Sequence, residues 1–144
     1  MKIMVLNGPN LNLLGVREPG IYGQGTYADL LAMLQADAAA HGHTLDCRQT
    51  NHEGVLVDWI QEAMNGYDAI VINPGAYTHT SIALLDAVKA VGVPTVEVHI
   101  SDVDAREDFR RISYIGMACV HTVMGRGLPG YTDAIRYLER YLDE

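Results

Sequence analysis

In the run TVEVHIS, residues 95–101, a carboxylate and an imidazole stand two residues apart as Glu97 and His99. A β-strand has a side-chain period of two, so both fall on one face, where the carboxylate orients the ring and supports its protonated form. That pairing suits a general acid. Ser101, closing the run, offers its hydroxyl and neighbouring backbone N–H groups to an anion. In DAREDFRR just beyond, Arg106 and Arg110 are four apart and share a face if the segment is helical, which suits recognition of a carboxylate or hydroxyl. Nearer the N-terminus, NGPNLNLLGVREPGIYGQG (residues 7–25) carries Arg17 and Tyr22 in a stretch whose glycines and prolines fit neither helix nor strand. A guanidinium beside a phenol favours the phenolate, so this segment is expected to be a lid that delivers a general base. Each feature also has a plainer role. His99 could be a satisfied core histidine, and Arg106 and Arg110 could pair with Glu107 and Asp108 on a solvated face, the preferred role for Arg111. Tyr22 could be a surface ring with Arg17 paired to Glu18, and Asn7 or Asn73 a simple turn residue.

Such groups need a scaffold that brings them together. Strand-like runs KIMVLN, TLDCRQT, AIVIN, TVEVHI and CVHTVMG alternate with helical patterns. TYADLLAMLQADAAAHG opens on a Thr cap and closes on Gly42, EGVLVDWIQEAMNG closes on Gly66, and HTSIALLDAVKAVG has Thr80 and Ser81 as cap candidates. YTDAIRYLERYLDE is a last amphipathic helix. Parallel strands need crossovers, so the alternation implies an α/β fold with helices on both faces of a parallel sheet. Five strands point to the flavodoxin-like, doubly wound order 2-1-3-4-5 in a single domain, residues 1–144. Ligands of such folds sit at the carboxyl ends of the strands, where the order reverses. The residues there are Asn7 to Asn12, Asn73 to His79, and His99 to Ser101, and they cluster asparagines, histidines and hydroxyls beyond apolar strand bodies. The longest stretches without periodicity, residues 8–25 and 101 to about 116, are long for a compact domain and suit function.

Composition narrows the classes further. A formal net charge of -8 disfavours nucleic-acid partners, whose binding rests on Lys and Arg. The apolar run at the N-terminus meets Asn-Gly-Pro too soon for a signal peptide or membrane span, so a cytoplasmic chain without membrane partners is expected. Cys47 and Cys119 lack metal-type spacing and suit two half-buried thiols in a reducing compartment, with a bridge left open. His41, His43 and His52 fall away from the expected crevice, and His79 and His99 have too few carboxylates beside them for a metal ligand set. No G-x-G-x-x-G or G-K-[ST] supports nucleotide phosphate binding. A non-catalytic flavodoxin-like binding module and a metal-assisted hydrolase using His79 and His99 remain as alternatives.

Four blocks, NGPNLNLLGVREPGIYG, TNHEGVLVDWI, INPGAYTHTSIALLDA and VEVHISDVDAREDFRRISY, resemble in order the signatures of the type II 3-dehydroquinate dehydratases, from residue 3 to about 138. The resemblance implies a hydro-lyase of the shikimate and quinate pathways. It would eliminate water in the anti sense from 3-dehydroquinate to 3-dehydroshikimate through an enolate, with no metal or organic cofactor. By position, Tyr22 matches the base that takes the C2 proton, and Arg17 the residue that keeps it phenolate-like. Asn10 matches the residue that stabilises the enolate with a water, and His99, oriented by Glu97, the acid for the C1 hydroxyl. Asn73 matches a substrate contact near that leaving group, Ile100 and Ser101 a carboxylate site, and His79 and Arg110 the residues holding the ring hydroxyls. Arg106 matches an arginine that stabilises the closed lid, and Asp86 an aspartate that reaches a neighbouring subunit's site. The implied assembly is a homo-oligomer, a dodecamer built as a tetramer of trimers. Asp102 and Asp104 depart from the family pattern, in which Asn and His are common, and make that loop more negative. A family member inactivated by those two changes is a third alternative.

Overall fold

The computed structural model describes residues 1–16 and 25–143, so Arg17 and Tyr22 lie outside the described residues. Five strands, β1 (Lys2–Asn7), β2 (Thr44–Gln49), β3 (Ala69–Asn73), β4 (Thr95–His99) and β5 (His121–Met124), form a parallel sheet in the order β2-β1-β3-β4-β5. This is the expected order. Four α-helices cover it among the described residues: α1 (Tyr27–His41), α2 (Glu53–Glu62), α3 (Ile82–Val91) and α4 (Pro129–Asp143).

Period-two alternation sorts the core into two layers. Ile3 and Val5 of β1, Ala69 and Val71 of β3, and Val96 and Val98 of β4 pack with Leu30 and Leu34 of α1 and with Tyr131, Ala134, Ile135 and Leu138 of α4. Met4, Leu6, Ile70 and Ile72 face the other way, against Leu56 and Ile60 of α2 and Leu84 and Val88 of α3. Central strands buried on both faces are apolar through their bodies, as β1 is after its exposed Lys2 and β3 from its start, until each ends in asparagine.

Caps set the helix starts. Thr26 Oγ1 accepts the Asp29 N–H at 3.1 Å while Asp29 Oδ2 accepts the Thr26 N–H at 3.0 Å, a reciprocal capping box. Of the two candidates before α3, Ser81 is the cap, its hydroxyl accepting from Leu84 N at 2.9 Å. Helix α1 ends on Gly42 at φ 73°, where a side chain would be strained. Helix α2 stops at Glu62, short of Gly66, because Met64 and Asn65 bond three residues back instead of four and tighten the last turn. The segment after β4 also differs from the helical possibility. It forms three 3-10 turns, Val103–Ala105, Asp108–Arg110 and Ile115–Met117, so Arg106 and Arg110 do not share an α-helical face. DAREDFRR has no apolar stripe to dock a helix, and an undocked helix this short is marginal.

One glycine controls how β1 and β3 end side by side. Gly8 N donates to Asn73 O at 2.8 Å, and a Cβ on Gly8 would stand 2.6 Å from the backbone oxygen of Pro74. Gly8→Ala is therefore expected to cost about 1–3 kcal/mol, a fall of several degrees in thermal unfolding. An unchanged Tm would mean that the two turns separate freely. No helix among the described residues is long and apolar enough to cross a membrane, and Cys47 and Cys119 are both free thiols.

Candidate active site

A cleft with about 670 Å³ of space, part of it open to solvent, lies at the carboxyl ends of β1, β3 and β4. Asn10, Asn73, His79, His99, Ile100, Ser101, Arg106 and Arg110 line it. Eight of the twelve site residues named from sequence thus share one cavity. Glu97 stands behind His99. Asp86 is exposed on α3 and does not line the cleft of its own chain.

The Glu97–His99 pair is the best-defined part. His99 Nε2 lies 2.5 Å from Glu97 Oε2, and both side chains are almost fully buried, at 5% and 1% exposure. Around the same carboxylate, Thr78 Oγ1 and Ser113 Oγ donate to Oε2 at 2.5 and 2.8 Å, and Thr122 Oγ1 donates to Oε1 at 3.1 Å. Burial alone would raise the Glu97 carboxyl, but the His99 bond and charge, with the two hydroxyls on Oε2, hold it down at about 2. An ionised carboxylate can only accept, so Nε2 carries a proton and Nδ1 is the nitrogen left to serve a substrate. Gly116 makes room for this cradle, since a Cβ there would approach Glu97 Oε1 to 2.7 Å.

The depressed Glu97 value sets a pH dependence. With the folded-state value near 2, below the ordinary 4.5, the ionised carboxylate contributes stability that is complete above about 4.5 and is lost as pH falls toward 2. Acid titration of unfolding free energy should show that loss in the natural protein and not in Glu97→Gln. Parallel curves would sink the assignment.

His79 is held differently. Its Nδ1 lies 2.8 Å from the Ile112 carbonyl oxygen, which can only accept, so Nδ1 carries the proton. Burial lowers its basicity, and His99 and Arg110 push the same way against the Ile112 bond and the Glu97 charge. The neutral ring therefore presents Nε2 as an acceptor, fit for a substrate hydroxyl. Arg106 and Arg110 are 14% and 21% exposed at the cleft, and Arg110 Nε is steadied by Glu107 at 2.8 Å. Arg111 is 62% exposed and pairs with Asp108, on the solvated face expected for it. Asn10 has φ 71°, the only positive φ at a non-glycine among the described residues, and its N–H donates to Asn51 Oδ1 at 3.1 Å. Asparagine tolerates this backbone better than most residues, and strain of this kind collects at working sites.

The model of the dehydroquinase class II family matches residues 1–139. This chain belongs to that family. Among relatives, a 3-dehydroquinate dehydratase of Variovorax paradoxus is 56% identical over 142 residues, spanning 95% of this chain and 97% of the relative. A catabolic 3-dehydroquinase of Verticillium alfalfae is 52% identical over 98% of this chain and 94% of its own. The crystal structure of a type II dehydroquinase from Butyrivibrio crossotus superposes with a TM-score of 0.95 at 50% identity, covering 96% of this chain and 97% of that one. In this chain, several polar groups at the site carry no signal in the sequence. Thr78 and Ser113, which bind Glu97, and Asn51, which holds Asn10, carry no local signal of their own. Thr78 lies inside the block INPGAYTHTSIALLDA and Ser113 inside VEVHISDVDAREDFRRISY, but their distance from Glu97 along the chain conceals the contact.

Proposed function

We propose that this chain is a 3-dehydroquinate dehydratase, a hydro-lyase that removes the C2 proton and the C1 hydroxyl of 3-dehydroquinate to form 3-dehydroshikimate. The observation that carries this is the buried Glu97–His99 pair, at 2.5 Å, opening on a cleft lined by Asn10, Asn73, His79 and two arginines in a chain of this family. The proton beside the ketone is acidic because its conjugate base is an enolate, so donors must meet the oxygen where charge grows. Asn10, with a bound water, takes that part. Tyr22 is the base and Arg17 keeps it phenolate-like, roles supported by their place in the family block NGPNLNLLGVREPGIYG.

His99 is the acid. Its Nδ1–H goes to the departing hydroxyl, which leaves as water, and the ring keeps its Nε2 proton on Glu97. Base and acid lie on opposite sides of the ring for anti elimination. Ile100 and Ser101 hold the substrate carboxylate, Asn73 contacts the substrate near the leaving group, and His79 and Arg110 hold the ring hydroxyls, with Arg106 stabilising closure. The substrate's own carbonyl is the electron sink, so no metal or organic cofactor is required.

The catalytic unit is a single domain over residues 1–144 that works in a homo-oligomer, a tetramer of trimers in which Asp86 reaches a neighbour's site. Exposed apolar side chains support assembly: Phe109 at 69%, Met117 at 66%, Ile82 at 56% and Ile112 at 52%. Two free thiols suit a cytoplasmic location. The same step serves aromatic biosynthesis through the shikimate pathway and the breakdown of quinate.

The test is direct. Purified protein is mixed with 3-dehydroquinate in excess chelator while the ultraviolet absorbance of the conjugated enone is followed. The expected result is a rise unaffected by chelator. A folded, assembled protein that gives no rise would reject the activity, and a rise that chelator abolishes would reject the metal-free mechanism.

A further inference from the structure

Beneath Asn73 lies a polar side chain that the proposed mechanism does not use. Tyr131, in the first turns of α4, is fully buried, and its hydroxyl sits between the asparagines that end β1 and β3. Those asparagines are register partners. Asn73 Nδ2 donates to the Tyr131 oxygen at 2.9 Å, and the Tyr131 O–H donates to Asn7 Oδ1 at 2.6 Å.

The direction of this chain is forced. Gly75 N, 3.1 Å from Asn73 Oδ1, is a donor only, so the oxygen of the amide must face it. Nδ2 then faces Tyr131, whose oxygen accepts, and its single proton can go only to Asn7. Asn7 Nδ2 is buried on the side of the Tyr27 phenol, whose ionised form it would favour.

Asn73 lines the cleft, and with one N–H taken by Tyr131 its second N–H is the one available there. We propose that Tyr131 is a positioning residue: through its hydroxyl it sets which way the Asn73 amide faces and so aims that second N–H at the substrate. The terminal torsion of an asparagine is broad and roughly two-fold, so an amide held by Gly75 alone is poorly determined. Tyr131 is anchored beside Ala134, Ile135 and Leu138 in the core, which makes it a rigid reference. Burial pushes its phenol well above the ordinary value, so the hydroxyl stays protonated and the direction of the chain holds.

This rests on the reading of Asn73 as a contact near the leaving group. A double-mutant cycle separates positioning from packing. Tyr131→Phe, Asn73→Ala and the double variant are assayed with 3-dehydroquinate for kcat and KM, with thermal unfolding alongside. Tyr131→Phe should lower kcat by about tenfold or more with KM little changed, and have no further effect on kcat once Asn73 is alanine. Equal losses of kcat in both backgrounds, or a lowered Tm with normal kcat, would overturn the proposal. A natural protein that turns over substrate while Asn73→Ala is fully active would remove the role of Asn73 and this proposal with it, leaving the dehydratase intact; no turnover by the natural protein would reject the dehydratase reading itself. Should Tyr131→Phe fail to fold, Asn7→Ala removes the acceptor at the far end. It should lower kcat a few-fold when Asn73 is present and not when it is alanine, and equal losses in both cases would overturn the proposal.

Discussion

His99→Ala is expected to leave exchange of the C2 proton in place while loss of the C1 hydroxyl slows by two to four orders of magnitude, roughly the contribution of a positioned general acid. On the proposed enolate route, proton removal and departure of the hydroxyl are separate events, and only the second would need His99. Deuterium entering 3-dehydroquinate from solvent would report the first, and enone absorbance the second. Exchange without product is the expected pattern. The fold should survive, since Thr78, Ser113 and Thr122 still donate to Glu97 when the imidazole is gone. Loss of exchange in a variant that unfolds as sharply as the natural protein would reject this division of labour.

Tyr22→Phe should give the opposite signature. Without the phenolic oxygen no group takes the C2 proton, so exchange and product should fall together, by two to four orders of magnitude. The aromatic ring is kept, so an analogue that mimics the enolate should bind with little change in affinity. Near-normal turnover would reject Tyr22 as the base. Tyr22 lies outside the described residues, and its proposed role rests on the family block that contains it. Comparing the two variants therefore asks whether the step each residue controls is its own. If both stopped exchange equally, the two-step scheme would fail.

The architecture was largely legible because its signals are local. Apolar runs bounded by Gly, Asn and Pro marked the strands, and the alternation with helices led to the observed order β2-β1-β3-β4-β5. Thr26 and Ser81 were readable as caps because a cap is recognised within three residues. One local inference missed. Helix α2 ends before Gly66, since tightening of its last turn is not written in residue type. The segment carrying Arg106 and Arg110, read as lacking periodicity and helical only conditionally, makes 3-10 turns. The arginines still both line the cleft, without the α-helical spacing that would have put them on one face.

From sequence alone came the parallel α/β order and the pairing of Glu97 with His99, since side chains two apart on a strand share a face whatever surrounds them. The family blocks came with them, each a contiguous run. Tertiary structure alone decided what holds those groups. Tyr131 reaches Asn7 across a separation of 124 residues, Thr78 reaches Glu97 across 19, and Ser113 reaches it across 16. The direction of the Asn73 amide depends on a glycine N–H and a buried phenol that meet only when α4 packs on the sheet. Hydrogen-bond partners are set by packing distance, and packing distance is not encoded in local period or composition.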